Sequence, residues 1–92
     1  MKSRTTERFW KLYAPLPTPI KTRAKAAYRQ FQRNPYHPGL RFKRIHSTRP
    51  IFSARINKDY RAVGVQQDGE IIWFWIGSHA EYDKLVVLLR GK

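Results

Sequence analysis

The segment IGSHAEYDKL, Ile76 to Leu85, sets a histidine and a tyrosine one helical turn apart where a strand-like run gives way to helix-like sequence. Ser78 and Glu81 have the S-x-x-E spacing of a capping box, in which each side chain satisfies a free backbone N–H of the first turn. That makes His79 the first helical residue and puts Tyr82 on a shared face with it. Imidazole and phenol both carry protons at a reacting centre. Asp68-Gly69 is a two-residue hairpin signal, and counting back from it pairs Gln67 with Glu70 and Arg61 with Ile76. The weaker turn NKD, Asn57 to Asp59, pairs Arg55 with Arg61. Two arginines then reach the end of the sheet from which His79 and Tyr82 emerge, and like charges facing each other suit an anion between them. Such a set can work on a phosphodiester without metal: Arg61 holds the extra charge of a five-coordinate phosphorus while His79 or Tyr82 moves protons.

Each member also has a plain structural reading. A histidine after a cap is often only solvated, and Tyr82 shares a helical stripe with Leu85, Val86 and Leu89 that suits a core or rim. Arg61 on a hydrophobic strand needs a partner or solvent, with Asp59 and Glu81 as the acids at hand. His37, His46 and His79 fall in three different elements, and the chain has no cysteine, so neither a metal nor another cofactor is expected. No phosphate-cradling glycine loop is present.

The chain carries 19 Lys and Arg against 6 Asp and Glu, a formal charge of +13. That surface draws in polyanions. The cations are spread over every segment rather than gathered on one amphipathic helix, which favours nucleic acid over a membrane surface. No apolar run is long enough to span a bilayer, the N-terminus lacks a signal-peptide core, and no disulfide framework is possible. A soluble, cytoplasmic protein is the expectation. At 92 residues the whole chain, 1–92, reads as a single domain.

The elements that must position these residues follow from periodicity. TTERFWKLYA, Thr5 to Ala14, predicts a first helix. Thr18-Pro19 predicts the N-cap and first residue of a second, whose stripe is Ile20, Ala24, Ala27, Tyr28 and Phe31. From Leu40 the period changes to two, and LRFKRIH, IFSARIN, YRAVGVQ and IIWFWIG predict four strands. Ser78 to Leu89 closes the chain as a helix. The fold class is α+β: two N-terminal helices packed on a four-stranded antiparallel sheet, with a short C-terminal helix. The registers put Trp73 and Trp75 on one face with Ala54 and Ala62, and Val63, Phe74 and Ile76 on the other. Three helices cannot hide both faces, so an exposed apolar groove or partner surface is expected.

FSARINKDYRAVGVQQDGEIIWFWIGSHAEYDKL resembles the RelE/ParE superfamily of bacterial toxins, with its arginine-bearing strand pair, hairpin and G-x-[HR]…Y ending, and AYRQFQRNPYHPGLRFKRI is similar to that family's helix and first core strand. The resemblance covers most of the chain. It implies a toxin of a type II toxin–antitoxin system, bound by a cognate antitoxin, and in the RelE-like branch an endoribonuclease that cuts mRNA on the ribosome without metal. By that resemblance Arg61 is the strand arginine at the scissile phosphate, His79 stands where members have arginine or histidine, and Tyr82 is the C-terminal tyrosine. Arg55 and Lys58 match basic positions of the strand and turn, and Arg41 and Lys43 extend the RNA surface. Two departures stand out: the family opens with a β-strand that this N-terminus does not show, and the strands offer no carboxylate base, leaving Tyr82 or a lysine for that role. The rival ParE-like branch poisons DNA gyrase by binding, and a third class is a non-catalytic module that engages RNA or antitoxin only. Retention of Arg61, His79 and Tyr82 together favours the nuclease.

Overall fold

The computed structural model describes residues 2–91. In chain order the elements are β1 (Lys2–Thr5), α1 (Glu7–Tyr13), α2 (Thr18–Arg33), a 3-10 turn (Pro38–Leu40), β2 (Lys43–Arg44), β3 (Ile51–Asn57), β4 (Tyr60–Gln67), β5 (Glu70–Ser78) and α3 (His79–Arg90). One sheet of order β1-β5-β4-β3-β2 runs through the molecule. The α+β class and the helix–helix–meander–helix order are those the sequence predicts, with one strand more. That strand is β1, paired parallel to β5 from Lys2 opposite Glu70 to Thr5 opposite Trp73. KSRT has no apolar residue to show a period; backbone pairing and the Arg4–Glu70 ion pair at 3.3 Å hold it. Among the described residues, no helix is long and apolar enough to cross a membrane.

Local chemistry explains the other boundaries. Thr6 rather than Thr5 caps α1, its hydroxyl accepting the Phe9 N–H. Thr18 lies inside α2: Pro17 is the N-cap, without a side-chain bond, and Pro19 follows within the first turn. The seven-residue strand expected at LRFKRIH shrinks to two paired residues. Arg41 stands in the left-handed region at φ 44°, and beyond the strand His46 turns the chain by accepting the N–H groups of Thr48 and Arg49 on Nδ1. The Asp68-Gly69 turn forms as predicted, with positive φ at both residues and Gln67 opposite Glu70.

The β4–β5 register shifts once. Gly64 pairs with Trp73 and Val63 with Trp75, which leaves Phe74 as the extra residue of a bulge. Arg61 therefore faces Gly77, not Ile76, and beyond the bulge the faces exchange. Trp75 joins Ile51, Val63 and Tyr82 under α3. Ile76 joins Ala54, Ala62, Ile71, Trp73 and Phe31 under α1 and α2. In that second cluster Trp73 Nε1 is buried without a hydrogen-bond partner among the described residues, which costs about 1–3 kcal/mol. The bulge rests on Gly64, where a Cβ would meet Ile71 Cγ2 at 2.8 Å and Trp73 Cε3 at 2.9 Å. Gly64→Ala is accordingly expected to lower the unfolding free energy by about 1–3 kcal/mol. Urea denaturation followed by tryptophan fluorescence measures it, and an unchanged midpoint would contradict the bulge.

Candidate functional site

Residues directly opposed in a sheet share a face, and this rule gathers the cations. Lys43, Ser53, Val63 and Trp75 form one row across β2 to β5, and Arg55, Arg61 and Gly77 form the next. Both rows lie on the face away from α1 and α2. The Arg55–Arg61 pairing is the one the sequence predicts.

The β3–β4 turn is built by Asn57, whose Oδ1 accepts the N–H groups of Asp59 at 2.8 Å and Tyr60 at 3.0 Å. Within that turn the backbone carbonyls of Asn57 and Tyr60 both accept from Arg61 Nη1, at 2.6 and 2.9 Å. One terminal nitrogen is thus used to fix the guanidinium, and its other donors stay available to a ligand. Partial burial and the nearby charge of Arg55 hold Arg61 below the ordinary arginine range, Tyr82 works against that shift, Arg41 adds to it and Asp59 opposes it. A phosphate would relieve this crowding of like charge.

Helix α3 is joined to the same turn. His79 donates its backbone N–H to the Asp59 carbonyl at 2.7 Å. Ser78 and Glu81 complete the predicted capping box, and the hydrogen bonds from the Ser78 backbone and side chain hold the Glu81 carboxyl below its usual range. A carboxyl so depressed stabilises the fold above the unfolded glutamate range, and that contribution goes as pH falls through the folded value. The cap aims α3 so that the Tyr82 ring lies 6.4 Å from Trp75 and 5.8 Å from His79, edge-on to the latter. Gly77 lets Trp75 lie across the strand beside Arg61: a Cβ there would stand 2.7 Å from the indole.

The structure therefore brings Arg55, Arg61, His79 and Tyr82 to one end of one sheet face. Arg41 adds its charge from the turn before β2, and Lys43 lies in the neighbouring row. Lys58 stands exposed at the tip of the β3–β4 turn. Tyr82 is only 8% exposed, which joins the two readings of it, since it packs as a core residue with its hydroxyl at the edge of the cationic cluster.

Three further residues belong to this arrangement. Ser53, 2% exposed, accepts from the Tyr82 hydroxyl at 3.3 Å. Asn57 shapes the turn that orients Arg61. Asp83 Oδ2 stands 3.3 Å from His79 Nδ1, with the two side chains 65% and 49% exposed. The i,i+4 spacing of His79 and Asp83 is visible in the sequence, and so is the turn chemistry of Asn57. Ser53 is not, because its partner is remote in the chain.

Residues 18–84 match the family model of the ParE-like toxin domain. That match spans well over half of the chain, and the chain belongs to the ParE-like toxin family. No curated protein matches it in sequence. Its fold is similar to a chain of the RelB–RelE antitoxin–toxin complex from Methanococcus jannaschii, at a TM-score of 0.71 and 17% identity over 88% of this chain and 95% of that one. YafQ from E. coli strain BL21(DE3) gives a TM-score of 0.70 at 14% identity, covering 88% of this chain and 96% of that one. For the YoeB/ParE toxin from Agrobacterium tumefaciens the TM-score is 0.67 at 18% identity, covering 86% and 99%. At these identities the likeness is one of fold.

Proposed function

We propose that the chain is the toxin of a type II toxin–antitoxin system and that it cleaves mRNA on the ribosome without metal. One observation carries the reading: Arg61, clamped by two carbonyls and facing Arg55, has no anion of the protein to neutralise it and stands beside the hydroxyl of Tyr82 and, through Tyr82, the imidazole of His79. In the reaction the ribose 2′-oxygen bonds to the adjacent phosphorus while the P–O5′ bond breaks. The 2′-OH proton passes to Tyr82 or Lys43, and His79 supplies a proton to the leaving 5′-oxygen. Arg61 and Arg55 hold the extra negative charge in between. The products are a 2′,3′-cyclic phosphate and a 5′-hydroxyl. Arg41, Lys43 and Lys58 hold flanking phosphates, and the ribosome positions the strand.

Mapping mRNA ends in a translation reaction tests this. Cleavage is expected with the wild type and is lost with Arg61→Ala or His79→Ala; variants that cut at the wild-type rate would overturn the site. A second reading, binding to DNA gyrase, is favoured by the ParE-like family match and by the deep burial of Tyr82. It wins if the wild type stalls replication and leaves mRNA intact.

Asp83 has a smaller part. It accepts from Nδ1 and thereby leaves Nε2 as the nitrogen that meets the leaving group. Asp83→Asn is expected to slow cleavage several-fold, since an exposed pair is screened, and to displace the acidic limb of the pH–rate profile. A profile identical to the wild type would remove Asp83 from the mechanism.

A further inference from the structure

On the other face of the sheet α1 packs against β5 and α2 against β3, and an open groove of about 220 Å³ runs between the two helices. Its walls are aromatic: Phe9, Trp10 and Tyr13 from α1 and Tyr28 from α2. Trp10 is 51% exposed, yet it is not a loose side chain. Its Nε1–H donates to Thr5 Oγ1 at 2.8 Å, and its ring meets Phe9 and Tyr13 edge-on at 5.3 and 5.2 Å. The base is Ala24, and a smaller cavity of about 40 Å³ beneath it shares Phe9, Ala24 and Tyr28 with the groove. Methyl-sized residues at the base leave room for a side chain entering from outside.

The rim is cationic. Lys25 and Arg29 flank the groove, and Lys21 lies 5.6 Å above the Tyr13 ring. Helix α2 contains no acid, and the acid of α1, Glu7, pairs with Lys11 at 3.6 Å. Among the described residues none of Lys21, Lys25 and Arg29 has a carboxylate partner. A preformed apolar slot bordered by unneutralised cations is complementary to a helix with an apolar stripe flanked by acids. A single RNA strand fits less well, because it needs open ring faces to stack on. Here the rings are turned edge-to-face among themselves and Lys21 covers Tyr13.

We propose that the α1–α2 groove is the docking site for an acidic amphipathic helix of a protein partner, with apolar side chains seated over Ala24 and carboxylates on Lys25 and Arg29. On the toxin reading that partner is the antitoxin; the recognition chemistry itself does not depend on nuclease activity. Because the groove and the Arg55–Arg61 row lie on opposite faces of the sheet, the helix anchors the partner without touching the phosphate-binding residues. Blocking those residues then falls to another segment of the partner.

The test is a selection of displayed helical peptides about sixteen residues long, or some four turns, against the whole chain, followed by titration of the best binders. The expected consensus carries net negative charge with apolar residues at i, i+3, i+4 and i+7. Lys25→Glu/Arg29→Glu is expected to weaken those binders about tenfold or more at physiological salt while leaving mRNA cleavage at the wild-type rate. Trp10→Ala should weaken them too, and the exposed charge-reversal pair covers the case in which that variant misfolds. Three results would overturn the proposal: selected peptides without acidic preference, equal binding to the charge-reversed protein, or displacement of the peptides by a short single-stranded RNA whose own binding is lost in the same variant. Since the readout is binding, a chain that cuts no mRNA can still satisfy it, and a failed groove leaves the nuclease reading standing.

Discussion

Arg61→Ala is expected to lower the rate of mRNA cleavage about 10²–10³-fold, the range for loss of one preorganised donor to a developing oxyanion, without lowering the melting temperature. The two halves of that expectation share one cause. Arg61 sits partly buried between Arg55 and Arg41, and its depressed pKa says that the fold disfavours its charge. Removing it relieves repulsion, so the variant should melt no lower than the wild type, and a gain, where present, should shrink in high salt as the remaining charges are screened. Arg61→Lys should be almost as inactive as Arg61→Ala. A lysine ammonium is a point charge that lacks the planar fork needed to hold two turn carbonyls and a phosphate at once. Asn57→Ala separates position from charge: it removes the acceptor for the Asp59 and Tyr60 N–H groups and loosens the turn, yet keeps the arginine. End-mapping of translated mRNA with a parallel thermal melt reads both quantities. An Arg61→Ala protein that cuts normally, or one that fails only because it is unfolded, would remove Arg61 from the phosphate.

What the sequence showed of this site follows from how local each signal is. The S-x-x-E cap and the Asp68-Gly69 turn are set by neighbouring residues, and both formed as read. They placed His79, Tyr82 and Arg61 at one end of the sheet before any coordinates were known. The bulge at Gly64 is a contact effect, caused by the approach of the Ile71 and Trp73 side chains, and strict alternation could not register it. Its consequence for the site is small, because Arg61 moves from Ile76 to Gly77 and so nearer to α3. For the core it is large, because Trp75 and Ile76 exchange faces. The strand β1 was invisible for a related reason: KSRT contributes backbone to an edge, and its partner lies far along the chain. The charge of Arg41 reaches Arg61 from a left-handed residue in an irregular turn, a placement that no periodicity encodes.

Tyr82→Phe and Ser53→Ala should prove coupled, in stability as in activity. Ser53 is the one buried polar side chain on this face, at a strand position between Ile51 and Arg55 where an apolar residue would pack better. Its bond to the Tyr82 hydroxyl gives the position a reason. Deleting either oxygen leaves the other buried without its partner, at a cost of about 1–2 kcal/mol. Deleting both removes the penalty as well as the bond, so the double variant should be less destabilised than the sum of the two, by about 1 kcal/mol. Cleavage should follow a different pattern. Tyr82→Phe keeps the ring against Trp75 and His79 and loses only the proton carrier, with an expected fall of about 10²-fold. Ser53→Ala leaves that carrier in place but free to rotate, so its effect should be milder, and in the Tyr82→Phe background it should have none. Urea titrations give the first cycle and end-mapped cleavage rates the second. Additive stabilities would mean that the bond is not made in solution, whereas coupled stabilities with unchanged cleavage in Tyr82→Phe would leave Tyr82 as packing and move the 2′-OH proton to Lys43.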